Sequence, residues 1–147
     1  MTESQHEQLN IFFVKTFNSI LQLEERALAG LKNLSVKEIH VIEAVVRLTK
    51  TQMNTMSQIA DELNISVGAL TTSVNTLVQK GYLERGAHPK DRRIVLVYAT
   101  PTGIEANRVH EIFHEQMISG VGDVMTNEEL EMLTDSLEKL TAFFNSL

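Results

Sequence analysis

Apolar residues recur at three- and four-residue steps along most of this chain, and the interruptions mark the element boundaries. Between residues 8 and 31, Leu9, Phe12, Phe13, Phe17, Ile20, Leu21, Leu28 and Leu31 share one broad face, with Glu24-Glu25-Arg26 opposite, which predicts a long amphipathic helix. Ser35-Val36-Lys37-Glu38 has the spacing of a capping box and opens a second helix with Ile39, Ile42, Val45, Val46 and Thr49 inward. After a loop at 50–54, Thr55-Met56-Ser57-Gln58 is another capping box. Met56, Ile59, Ala60 and Leu63 then mark the buried face of a short helix. A turn at Asn64-Ile65 leads to Ser66, which caps a helix with Val67, Leu70, Val74, Leu77 and Val78 inward and Gly81 at its end.

The period then shortens. Tyr82–Arg85 and Ile94–Tyr98 read as two strands joined by residues 86–93. Thr100, with Pro101 in the first helical position, starts a helix that runs to about Ser119, where Gly120-Val121-Gly122 breaks it. Thr126-Asn127-Glu128-Glu129 is a further capping box, and the last helix repeats Leu130, Leu133, Leu137, Leu140, Phe144 and Leu147 to the end of the chain. The fold class is α+β, mostly α. A short helix, a tight turn, a second helix and a β-hairpin make a winged helix-turn-helix, flanked by N- and C-terminal helices.

In a helix-turn-helix the second helix can lie in the major groove of DNA. Its exposed face here offers Ser66, Gly68, Ala69, Thr71, Thr72, Asn75 and Gln79. A merely solvated face is normally rich in Lys and Glu. Small hydroxyls, amides and methyls instead suit base edges, and Gly68 allows a close backbone approach. A polar helix packed on its own protein would also carry few charges, so the hairpin matters. From Lys80 to Arg93 there are five cations (Lys80, Arg85, Lys90, Arg92, Arg93) and two anions (Glu84, Asp91), a net of +3 in a chain of net −6. The rest therefore carries −9, and a local basic tip on an acidic chain marks a nucleic-acid footprint. Ser57 and Gln58, at the start of the short helix, are candidate phosphate contacts.

Ala60-x-x-Leu63-x-Ile65-Ser66, Leu77-x-x-Lys80-Gly81-Tyr82, Asp91-Arg92-Arg93 and Thr100-Pro101-Thr102-Gly103 together resemble the MarR family of bacterial transcriptional regulators over nearly the whole chain. The resemblance implies a homodimer on a pseudo-palindromic operator, most simply as a repressor. Residues 1–34 and 101–147 would form the dimerisation helices and 35–100 the DNA-binding lobe. It also implies a wing, with Lys90 at its tip, whose Arg92 or Arg93 enters the minor groove with Asp91 orienting the arginine. Thr71-Thr72-Ser73 stands where many members carry an arginine, so base preference does not transfer. Gly68, Thr71-Thr72-Ser73, Asn75, Leu77 and Lys80-Gly81-Tyr82 are similar to the repressors of fatty-acid synthesis within the family, which implies an acyl group on acyl carrier protein as co-repressor.

Composition narrows the rest. The chain is 147 residues with 43% hydrophobic and 22% charged residues, enough for one domain with a core. It has no cysteine, no run of membrane-spanning length and a polar start, which fits a cytoplasmic protein without disulfides, thiol chemistry or a membrane partner. No cofactor is implied. All six phenylalanines lie outside the DNA-reading segment, so the terminal helices are expected to form the dimer core and any apolar effector pocket. Phe13, Phe17, His40, Phe113 and Met117 are the candidates for that pocket, although plain interface core is the simpler account of them.

One motif points elsewhere. His110-Glu111-Ile112-Phe113-His114 matches the H-E-x-x-H of zinc hydrolases, in which two histidines on one helix face bind the metal and the glutamate is the base. A third ligand would have to come from Glu128, Glu129, Glu131 or Glu138, which read as solvated positions of the last helix. The reading favoured is no enzyme. Alternatives are a regulatory metal on His110 and His114, with Glu115 or His40, and an adaptor that shares the fold without touching DNA. The basic wing argues against the adaptor.

Overall fold

A computed structural model describes residues 1–147. Its elements are α1 (Glu3–Ile11), a π-turn (Phe12–Thr16), α2 (Phe17–Ala27), α3 (Val36–Thr49), α4 (Met56–Glu62), α5 (Val67–Gln79), β1 (Leu83–Ala87), β2 (Val95–Ala99), α6 (Pro101–Val124) and α7 (Asn127–Asn145). The chain divides into two compact units, Met1–Glu111 and Ile112–Leu147.

The first unit is built around α3. Its capping box closes as the sequence predicts: Glu38 N–H donates to Ser35 Oγ at 3.2 Å and Ser35 N–H to Glu38 Oε2 at 3.3 Å. Ile39, Ile42 and Val45 of α3 are buried with Ile59 and Ala60 of α4, Leu70, Val74 and Leu77 of α5, and Tyr82, Leu83, Val97 and Ala106. Fully burying an aliphatic side chain of this size contributes about 1.5–3 kcal/mol, so this cluster is the main stabilising term of the unit. β1 and β2 pair antiparallel with Leu83 opposite Ala99 and Arg85 opposite Val97. Asn54, missed in the sequence, anchors the hairpin: its buried amide donates to Val97 O at 2.7 Å, and Val97 N–H donates to Asn54 O at 3.0 Å. A β-bridge from Thr55 to Leu96 continues that contact.

Several expected boundaries move. The first helix starts at Glu3, not residue 8, because Thr2 and Gln5 form a capping box in a segment with no apolar marker. A π-turn, closed by Phe17 N–H to Phe12 O, then interrupts the helical phase. Helix α2 ends at Ala27, leaving buried Leu28 and half-buried Leu31 beyond the helix but still in or against the core. The strands lie one or two residues later than the alternation suggested. Val67 is 47% exposed rather than inward, being the first residue after the cap and too near the helix end to reach the core. The break at Gly120-Val121-Gly122 does not occur. Helix α6 continues to Val124, since two glycines weaken a helix by about 1 kcal/mol each without forbidding helical dihedrals.

The second unit holds the end of α6 and α7. The Thr126–Glu129 capping box forms, but α7 stops at Asn145, so Leu147 falls outside the helix. No helix is long and apolar enough to cross a membrane.

Candidate nucleic-acid interface

The turn between α4 and α5 is set by backbone chemistry. Asn64 adopts φ +53°, a left-handed conformation that asparagine tolerates better than most residues. Its N–H reaches Asp61 O at 3.1 Å while Ile65 N–H reaches Ala60 O at 3.0 Å, so the last carbonyls of α4 are satisfied as the chain reverses. Ser66 Oγ then accepts from Ala69 N–H at 3.1 Å and launches α5. At the far end Gly81 takes φ +83°, with Gly81 N–H to Val78 O and Tyr82 N–H to Leu77 O closing the helix in the same way. Helix α5 is thereby held at both ends, with Leu70, Val74 and Leu77 buried.

Its outer face is the expected one. Ser66, Gly68, Ala69, Thr71, Thr72, Asn75 and Gln79 are all exposed. The Thr71 and Thr72 hydroxyls donate to Val67 O and Gly68 O of their own helix, which leaves their oxygen lone pairs and methyl groups outward. On α4, Ser57 is exposed and Gln58 half-buried. Gln58 Oε1 accepts from Thr55 N–H at 3.2 Å and Thr55 Oγ1 at 3.0 Å, so that oxygen serves the cap.

The wing tip is organised by Asp91. Its Oδ1 accepts from Arg93 N–H at 3.0 Å and Arg93 Nε at 3.1 Å, and its Oδ2 from Arg93 Nη2 at 3.0 Å. The sequence left open which arginine Asp91 orients; in the structure it is Arg93. Hydrogen bonds from Arg93 hold the Asp91 carboxyl below its ordinary range, and the same bonds raise the Arg93 guanidinium above its own. Lys90 and Arg92 are exposed beside them. The patch is less basic than the count implied, because Lys80 Nζ lies 2.8 Å from Glu38 Oε2 on α3 and is half-buried. Arg85, on β1, donates through Nη2 to Asn75 Oδ1 on α5. Nothing in the sequence pattern marked that pair, since it joins residues ten apart across a helix end and a strand.

The profile of the MarR family matches residues 29–94. Over 96% of this chain and 98% of its own, FabT of Streptococcus pneumoniae, solved in complex with DNA, superposes with a TM-score of 0.86 at 34% identity. The chain belongs to the MarR family. The transcriptional regulator ZitR of Lactococcus lactis is 27% identical over 86% of this chain and 91% of its own length. The HTH-type transcriptional regulator MhqR of Bacillus subtilis is 34% identical over 58% of this chain and 59% of its own.

A second polar cluster of this MarR-family chain gathers around buried Glu24, with His110 buried and His40 partly exposed. Glu24 of α2, 4% exposed, presents Oε1 to two histidines: His110 Nε2 of α6 at 2.6 Å and His40 Nε2 of α3 at 2.9 Å. A carboxylate only accepts, so both Nε2 atoms carry hydrogens. Burial pushes the Glu24 carboxyl up, but the hydrogen bonds from His110 and His40 and the charge of both rings outweigh it and hold the group below its ordinary value. The two rings stand 5.4 Å apart, and His110 Nδ1 faces Glu43 Oε2 at 3.8 Å.

This arrangement corrects the H-E-x-x-H reading. The metal-competent grouping is Glu24, His40 and His110, with one ligand atom from each within 4.8 Å of the others, and not His110 with His114. His114 packs its ring edge-on to Phe113 at 5.3 Å, and Glu111 Oε1 accepts from Asn107 at 3.0 Å. In the sequence Glu24 belongs to the polar face opposite the phenylalanines, and only the tertiary fold shows that it turns inward. Of the effector candidates, Phe13 and Phe17 are 39% and 53% exposed and His40 is half-buried in the first unit. Phe113 and Met117 are half-buried in the second.

Proposed function

We propose that this MarR-family transcriptional regulator is a repressor that works as a homodimer on a pseudo-palindromic operator. Each α5 would enter a major groove and each wing would place Arg93, with Arg92 and Lys90, at the adjoining minor groove. The observation that carries this reading is the pairing of an α5 face of small uncharged groups with a wing arginine held in place by Asp91. Ser57, Gln58 and Ser66 would fix register on phosphates, and Gly68, Ala69, Thr71, Thr72 and Asn75 would face the bases. The homodimer is supported by apolar surface that a lone chain leaves in water: Phe12, Phe13, Phe17 and Leu21 near the start, Leu137, Phe143 and Phe144 near the end. The effector is an acyl chain, by the likeness to repressors of fatty-acid synthesis; Phe13, Phe17 and His40 of the first unit and, separately, Phe113 and Met117 of the second are the candidates for contacting it.

Substituting Arg92 or Arg93 by Ala is expected to weaken binding to all DNA sequences alike. It should also reduce the slope of log affinity against log salt by about 2 per dimer, because each subunit loses one cation that displaces a DNA counterion. Titrations by fluorescence anisotropy at several salt concentrations measure both. An unchanged slope in both variants removes the wing from the interface.

The Glu24–His40–His110 cluster supports a second reading, a metal-responsive regulator. Two imidazoles and a carboxylate are the donor set of first-row divalent cations such as zinc. The fit requires a small adjustment, because Oε1 and the two Nε2 atoms now sit at hydrogen-bond distance and a cation would replace the shared hydrogens. Competition for zinc against a chromophoric chelator tests it without DNA. Glu24→Gln and His40→Ala should each lower the affinity at least on the order of tenfold. Equal affinity in wild type and variants rejects the site.

A further inference from the structure

Arg85 projects from β1 onto the outer face of α5, and its guanidinium donates to the side-chain oxygen of Asn75. A guanidinium has no acceptor, so the amide atom that meets it is the carbonyl oxygen, and Nδ2 with its two hydrogens points the other way. Asn75 and Arg85 are both exposed, on the same side of the lobe as the α5 face described above.

We propose that Arg85 is a specificity-determining positioning residue, which locks the Asn75 amide so that the pair offers only hydrogen-bond donors to the major groove and selects guanine over adenine. This rests on the operator-binding reading. An asparagine alone pairs bidentately with adenine, accepting from N6 and donating to N7. Oδ1 keeps a second lone pair, but the cationic guanidinium beside it turns its own hydrogens against any further donor, so the group left to the groove is the NH2, flanked by the remaining guanidinium hydrogens. Guanine meets it with two acceptors, N7 and O6. Adenine meets it with N7 but opposes N6–H2, donor against donor. The wrong base is thus rejected by an unpaired donor as well as by a lost bond. A role for Arg85 as a plain phosphate contact predicts no base preference at all.

The test is binding of wild type, Asn75→Ala and Arg85→Met to an operator in which each half-site base pair is replaced in turn by the other three. Asn75→Ala identifies the position it reads as the one where discrimination collapses. There, the wild type should prefer guanine to adenine by on the order of tenfold or more. Arg85→Met should lose or invert that preference while keeping discrimination elsewhere. Adenine preference in the wild type, no position sensitive to Asn75→Ala, or an Arg85→Met loss equal across all four base pairs overturns the proposal. Wild-type protein that binds no operator would instead defeat the operator-binding reading on which the pairing depends.

Discussion

Alanine at Gly103 is expected to destabilise the protein by about 3 kcal/mol or more, although alanine is the better helix former. Gly103 lies in the first turn of α6 and is buried. In a free helix the change would gain about 1 kcal/mol. Here a Cβ would stand 2.1 Å from Tyr82 O, 3.1 Å from Tyr82 C and 3.3 Å from Ala99 Cβ. The nearest atom is backbone, and Tyr82 O already accepts from Thr100 N–H at 3.0 Å while Thr100 Oγ1 donates to Gly81 O at 2.6 Å. Nothing flexible can give way. The start of α6 must leave the base of the hairpin, and forced core overpacking of this kind costs typically about 1–3 kcal/mol and more when the backbone must move. For a chain of this size the melting temperature should fall by roughly 10 °C. Thermal and urea unfolding followed by circular dichroism measure it. A melting temperature equal to or above that of the wild type contradicts the packing described.

The second large effect is expected at Glu24. Ala at this position removes the acceptor shared by His40 and His110, and a buried hydrogen bond to a charged group is worth about 1.5–3 kcal/mol. Unfolding free energy should fall by about 3 kcal/mol around neutral pH. The pH dependence carries a sign. Glu24 is held below its ordinary value of 4.5 in the folded chain, so the unfolded chain binds more protons as acid is added. Its stabilisation is complete above that value and is lost as the pH falls through the lowered one. Glu24→Gln, which keeps the shape, should therefore flatten the loss of stability below about pH 5. Equal slopes in the Glu24→Gln variant and the wild type would show that the carboxylate is not stabilised by the histidines.

The same two sites show what the sequence could and could not reveal. Capping boxes at Ser35, Thr55 and Thr126 and the glycine stop at Gly81 were legible, because each rests on bonds between residues three to five apart. The α5 face and the wing were legible for a related reason, as local patterns of polarity and charge. The glycine of Thr100-Pro101-Thr102-Gly103 was visible as part of a motif, but its reason, the approach of Tyr82 O, lies 21 residues away and needs the fold. Glu24, His40 and His110 are 16 to 86 residues apart, and nothing local distinguishes a glutamate that turns inward from two neighbours that do not. Helix ends without an apolar marker, as at Glu3, and glycines tolerated inside α6 were misplaced because periodicity reports which face is buried, not where hydrogen bonding starts or stops. Lys80 reads as a free cation in the sequence, and only the fold brings Glu38 beside it.

The most direct test of the central claim is binding of the purified protein to the DNA upstream of its own gene, set against a shuffled sequence of equal length. It is run from about 50 to 200 mM salt, with and without long-chain acyl carrier protein. The predicted result is a preference of at least about a thousandfold for the upstream DNA, falling steeply with salt, at one dimer per site. Tightening by the acyl form would bear out the effector assigned to it. Equal affinity for the upstream and shuffled DNA across the salt range would contradict the operator-binding account.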